Sequence, residues 1–116
     1  MDERLEKALG FSNYMVTLNN QKRVLKEKFR EQTIYYYKGS QFTVSKELMT
    51  FVNMLVYKGM HEAVLVDDNE TPTMVDDLTD FNDNLFDVYF TATNTFHAAY
   101  EELKKNRSVE KLTDYE

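Results

Sequence analysis

Apolar residues recur every three to four positions through the first part of the chain. Phe11, Met15, Leu18, Leu25 and Phe29 fall on one stripe, which predicts a helix over residues 2–31. Lys22 interrupts that stripe, and Gly10 is the weak point at which the helix is expected to kink or split. Leu5, Leu9 and Val16 lie on another face, so the helix is expected to meet two neighbours.

The period changes at "TIYYYKGSQFTV", Thr33 to Val44. This stretch is β-branched and aromatic, with turn residues at Lys38-Gly39-Ser40, and predicts a hairpin. Alternation puts Ile34 and Tyr36 on one side and Thr33, Tyr35 and Tyr37 on the other. Ser45 suits the N-cap of a helix from Lys46 to about Lys58, stopped by Gly59. Leu48, Phe51, Val52 and Leu55 are its expected buried face.

"EAVLVDDNETPTMV", Glu62 to Val75, predicts a second hairpin turning at Asp67–Glu70, with Pro72 forcing extended backbone beside the turn. A long helix is expected from Asp76 or Asp77 to Asn106, and residues 107–116 are expected to form a short tail. Hairpin and helix thus occur twice, and both helices carry L-x-x-F-x-x-x-L, at Leu48–Leu55 and Leu78–Leu85. A duplication would produce this. So would the plain need of any amphipathic helix for an apolar residue every turn.

The fold class that follows is α+β, ordered α–ββ–α–ββ–α. The two hairpins are expected to join as one four-stranded antiparallel sheet packed against three helices. A chain of 116 residues reads as a single domain, 1–116. Within it the N-terminal helix covers 1–31, the two hairpin–helix units cover 32–59 and 60–106, and the tail covers 107–116.

Charge changes the picture more than composition does. Residues 1–58 hold ten Lys/Arg and six Asp/Glu, whereas residues 59–103 hold eleven Asp/Glu and neither Lys nor Arg. Such polarity steers association with charged partners, or is cancelled when the two halves lie together. The acids gather in "VDDLTDFNDNLFDVYF", Val75 to Phe90. Asp80, Asn82 and Asn84 match the opening of a calcium loop. Leu85 and Thr91 stand where that loop needs Gly and Glu, so the EF-hand reading fails. As a helix, the same stretch places Asp76, Asp80, Asp83 and Asp87 within about 60° of one another. Leu78, Phe81, Leu85 and Val88 fall opposite. Phe86, Phe90 and His97 occupy the flank beside the acids and make the apolar arc wider than one core-facing stripe requires. These seven residues are the candidate interaction surface, for a partner protein or for a homodimer.

A second candidate patch is basic and aromatic: Lys22, Arg23, Lys26, Arg30, Tyr35 and Tyr37. Aromatics on a strand beside cations can stack bases, but the sequence pI near 4.9 argues against nucleic acid as a partner. Catalytic patterns are not evident. The two His, at 61 and 97, form no H-x-x-x-H, the three Gly make no phosphate loop, and there is no Cys. His97 and Glu101, one turn apart, are too few to hold a metal. The expectation is a non-enzymatic chain with no cofactor and no metal. No apolar run approaches the ~20 residues of a membrane span, and the charged N-terminus lacks a signal-peptide core, so no membrane association is expected.

The whole chain, and most clearly "FSNYMVTLNNQKRVLKEKF" (11–29) and "KKNRSVEKL" (104–112), resembles small uncharacterised proteins of contractile-tailed phages of marine cyanobacteria. Its second half, "VDDNETPTMVDDL…FHAAYEEL" (66–103), is similar to a hairpin-plus-long-helix unit of phage tail and tail-assembly proteins. The resemblance implies a phage origin and a non-catalytic role. The expected function is that of an accessory protein acting through protein–protein contacts in the host cytoplasm. The alternatives are a virion or tail-assembly component, or a weak nucleic-acid binder through Lys22–Tyr37.

Overall fold

The computed structural model describes the backbone of residues 2–115 and the side chains of residues 2–106. The elements run α1 (Glu3–Gln32), β1 (Ile34–Tyr37), β2 (Ser40–Thr43), α2 (Lys46–Tyr57), β3 (Ala63–Val66), β4 (Pro72–Val75) and α3 (Leu78–Tyr115). The class is α+β, with three helices and two antiparallel hairpins among the described residues. Two boundaries differ from expectation. α1 is helical straight through Gly10, and α3 continues through the stretch expected to be a separate tail.

Two compact units emerge: residues 1–29 with 95–116, and residues 30–94. In the first, α1 and the C-terminal part of α3 meet through Phe29 and Phe96, whose ring centres are 5.1 Å apart. Lys22 lies over the ring of Tyr100 at 5.7 Å, which explains how a cation sits within the apolar stripe: its ammonium meets an aromatic face. No residue of α1 is fully buried.

The second unit holds the main core. β1 pairs with β2 across a two-residue turn, Lys38-Gly39, with φ of 49° and 81°. Positive φ at both positions is the geometry whose twist matches the flanking strands. β3 pairs with β4 across a longer loop built on Asp67. The Asp67 carboxylate is buried and accepts the backbone N–H groups of Asn69 at 2.9 Å and Thr71 at 2.8 Å. Glu70 takes the left-handed conformation, at φ 62°, that closes this loop.

The expected four-stranded sheet is corrected to two separate two-stranded sheets. The cause lies at the outer edge of β2. There the Asp68 carboxylate takes the Thr43 N–H at 3.0 Å, and the Asp68 N–H donates to the Gln41 carbonyl at 2.8 Å. Those are the groups that a third strand would need. Pro72 also removes a ladder donor from β4. Beyond the backbone bond from Asp68 to Gln41, the hairpins are joined by side chains. Thr43 Oγ1 and Gln41 Nε2 donate to Asp68, and the Ser40 and Thr73 hydroxyls are 2.6 Å apart.

Phe42, Val44, Met49, Val52, Leu65, Val75, Leu78, Phe81 and Leu85 form one cluster drawn from both hairpins, α2 and the first turns of α3. Phe81 is its centre. Tyr35, Tyr37 and Phe42 all meet it edge-on, with ring centres 5.8, 5.3 and 5.4 Å away. Ser45 caps α2 by accepting the Leu48 N–H, and Asp77 caps α3 by accepting the Asp80 N–H. The His61 carbonyl accepts the Leu78 N–H at 2.9 Å and ties the start of α3 to the approach of β3.

Candidate functional site

The acidic stretch does become the first turns of α3, and the capping Asp77 explains its register. Asp76 precedes the helix, however, and its carboxylate forms an ion pair with Lys38 in the first hairpin turn. That contact is the main reason the Lys38 pKa is raised above its ordinary value. Asp80 also has a partner: its carboxylate accepts the Asn84 amide at 3.3 Å, and the same amide donates to the Tyr35 hydroxyl at 3.2 Å.

Asp83 and Asp87 are different. Both are exposed, and among the described residues neither enters an ion pair. Beside them Phe86 and Phe90 stack on each other with centres 5.9 Å apart and planes inclined by 21°. They retain 37% and 50% exposure, so the pair is a surface feature rather than an outlying part of the core. Tyr89 meets Phe90 edge-on at 5.5 Å and steadies it from the half-buried side. Asp83, Phe86, Asp87 and Phe90 thus form one ridge of neighbouring turns. Its chemistry is definite. Carboxylates offer acceptors for ammonium or guanidinium groups, and the aromatic faces offer apolar and cation–π contact.

His97, the seventh residue of the expected surface, belongs to the first unit. There its Nε2 is 3.8 Å from Glu101, which also meets Lys104 at 3.7 Å. Among the described residues no group of three or more His, Asp or Glu side chains is placed to hold a metal. Among the described residues no helix is long and apolar enough to cross a membrane.

The basic and aromatic patch is divided. Lys22, Arg23 and Lys26 lie in the first unit, and Arg30, Tyr35 and Tyr37 in the second. Arg23 pairs with Glu27 on its own helix at 3.3 Å. Tyr35 and Tyr37 turn their rings to Phe81, as their alternation with the exposed Tyr36 requires, and so are committed to the core.

Sequence reasoning missed the outward face of α2. Phe51, expected inside, is 47% exposed, Met54 is 44% exposed and Tyr57 is 90% exposed. The available signal was that eight of the twelve residues of KELMTFVNMLVY are apolar, more than one buried stripe can use. On the second hairpin Val64 and Met74 face each other across the strands and are likewise exposed.

Compared with known proteins, the chain matches no family model, no curated protein and no solved structure.

Proposed function

We propose that this chain is a small non-enzymatic phage accessory protein that works in the host cytoplasm by docking on another protein through the Asp83–Phe90 ridge. The observation that carries the reading is the stacked, exposed Phe86–Phe90 pair beside two carboxylates that have no cationic partner among the described residues. Buried interfaces are built on aromatic anchors of this kind, and flanking charges select the partner and orient it. A basic partner surface, with Lys or Arg beside an apolar patch, satisfies both parts of the ridge. The resemblance of residues 11–29 and 104–112 to small phage proteins supports the biological setting.

The test is capture of partners from infected cells by the wild-type chain and by two variants, Phe86→Ser/Phe90→Ser and Asp83→Lys/Asp87→Lys. Loss of the same partner from both variants supports the reading. A partner retained by both overturns the role of the ridge, and turnover of a substrate by the purified chain overturns the non-enzymatic role. A second reading, a virion or tail-assembly component, is supported by the β3–β4 hairpin that leads through Pro72 into a long helix. Mass spectrometry of purified virions separates the two, because an accessory protein is absent from the particle.

A further inference from the structure

The outward face of α2 repeats itself when read backwards. Glu47, Phe51, Met54 and Lys58 are spaced by four, three and four residues. At 100° per residue they lie within about 60° of one another, so they form one stripe along the helix. The stripe is symmetric about the point between Val52 and Asn53. Phe51 and Met54 are equidistant from that point, and so are Glu47 and Lys58, which carry opposite charges. All four are exposed. Lys58 is the C-cap residue, with helical φ of −74°, and so continues the stripe.

We infer that α2 docks, antiparallel, on α2 of a second copy of this chain across a two-fold axis. Symmetry of this kind brings one patch onto itself, so each residue must find its complement on the same stripe. Phe51 of one protomer then packs on Met54 of its partner, and Met54 on Phe51. Glu47 of each protomer meets Lys58 of the other at the two ends. A parallel arrangement would set Glu47 against Glu47 and Lys58 against Lys58, so the charges select the antiparallel form. Among the described residues neither Glu47 nor Lys58 enters an ion pair within the chain, so both are available for this contact. Phe, Met and Tyr are residue types enriched at interface centres, and Tyr57 adds a third to the flank of the stripe. A twelve-residue helix gives a contact only ~18 Å long. The interface is therefore at the small end of specific ones, and the dimer should be weak and depend on concentration. This surface is distinct from the α3 ridge, and the inference stands independently of the partner proposed for that ridge.

The test is sedimentation of the full chain over a range of concentrations, with charge-reversed variants. The wild type is expected to pass from monomer to dimer. Glu47→Lys and Lys58→Glu each replace two attractions by two repulsions, and each alone should weaken the dimer roughly tenfold. An equimolar mixture of the two variants should recover wild-type association, because every Lys then faces a Glu again. Met54→Ser should leave a monomer, and Phe86→Ser/Phe90→Ser should leave the dimer intact. A wild type that stays monomeric at millimolar concentration overturns the inference. So does a mixture that fails to recover, or a dimer abolished by the Phe86 and Phe90 changes and not by Met54→Ser.

Discussion

The two hairpin–helix stretches of the second unit carry the same L-x-x-F-x-x-x-L, which faces the core in α3 and lies on the flank of the core face in α2, with Phe51 turned outward. In α3, Leu78, Phe81 and Leu85 are at most 1% exposed. In α2, Leu48 and Leu55 are half-buried and Phe51 is 47% exposed. The caps explain the difference. Ser45 stands three residues before Leu48, whereas Asp77 stands immediately before Leu78. The motif is therefore shifted by two residues relative to the start of the helix, or about 200° around its axis. Counted from the cap, the position of Phe81 falls on Met49 in α2, and Met49 is buried. The lesson is that register comes from where the strand ends and the helix is capped. The spacing within a motif sets only which of its own residues share a face.

The comparison breaks most visibly at its centre. Phe81→Ala should cost about 3–5 kcal/mol, since it removes the ring on which Tyr35, Tyr37 and Phe42 converge. Urea unfolding at low protein concentration measures this.

The turns are the next contrast. The second hairpin depends on a side chain, and Asp67→Ala should cost roughly 1.5–3 kcal/mol by stranding two backbone donors. The first depends on backbone freedom, and Gly39→Ala should cost about 1–2 kcal/mol because φ there is 81°. Thermal unfolding of both variants ranks them.

Where the two stretches are alike, the caps, the effects should match. Ser45→Ala and Asp77→Ala should each cost about 1 kcal/mol. A large inequality between them in the same unfolding assay would show that the cap-based alignment is wrong.

The link between the hairpins predicts a pH dependence. Partial burial raises the Asp68 pKa, but hydrogen bonds from Thr43 and Gln41 outweigh it and hold the carboxyl below its ordinary 3.8. A carboxylate with a lowered folded pKa stabilises the fold above its unfolded pKa, and that contribution is lost as pH falls through the folded value. The stability difference between the wild type and Asp68→Asn should thus be constant from neutral pH down to about 5 and should shrink below 3.8. A difference that persists unchanged in strong acid would contradict this.

Much of the fold was legible in the sequence. The change from helical to alternating period located both hairpins, and Lys38-Gly39, Ser45 and Gly59 marked their boundaries. Alternation puts Tyr35 and Tyr37 on one side of the strand but does not show that this side faces Phe81 rather than solvent. Other features depended on contacts between distant residues. Asp68 lies 25 residues from Thr43, and no local pattern shows that one carboxylate blocks the edge that a joined sheet would use. Periodicity puts Asp76 in the acidic stripe but does not reveal that the helix is capped one residue later, at Asp77. The pairing of Phe86 with Phe90 beside Asp83 and Asp87 was visible from spacing, because all four stand on one helix. Phe51 differs from expectation because eight apolar residues in twelve leave spacing unable to choose which stripe of α2 turns inward.

The most direct test of this account is the unfolding midpoint in urea as a function of protein concentration, for the wild type and for Phe51→Ser. At high dilution the two should differ by less than about 0.5 kcal/mol, as expected of a surface position. With rising concentration the wild-type midpoint should climb, because association stabilises the folded state, while that of Phe51→Ser stays flat. A Phe51→Ser variant as damaged at high dilution as Phe81→Ala, or a wild-type midpoint independent of concentration, would contradict the assignment of Phe51 to a contact surface.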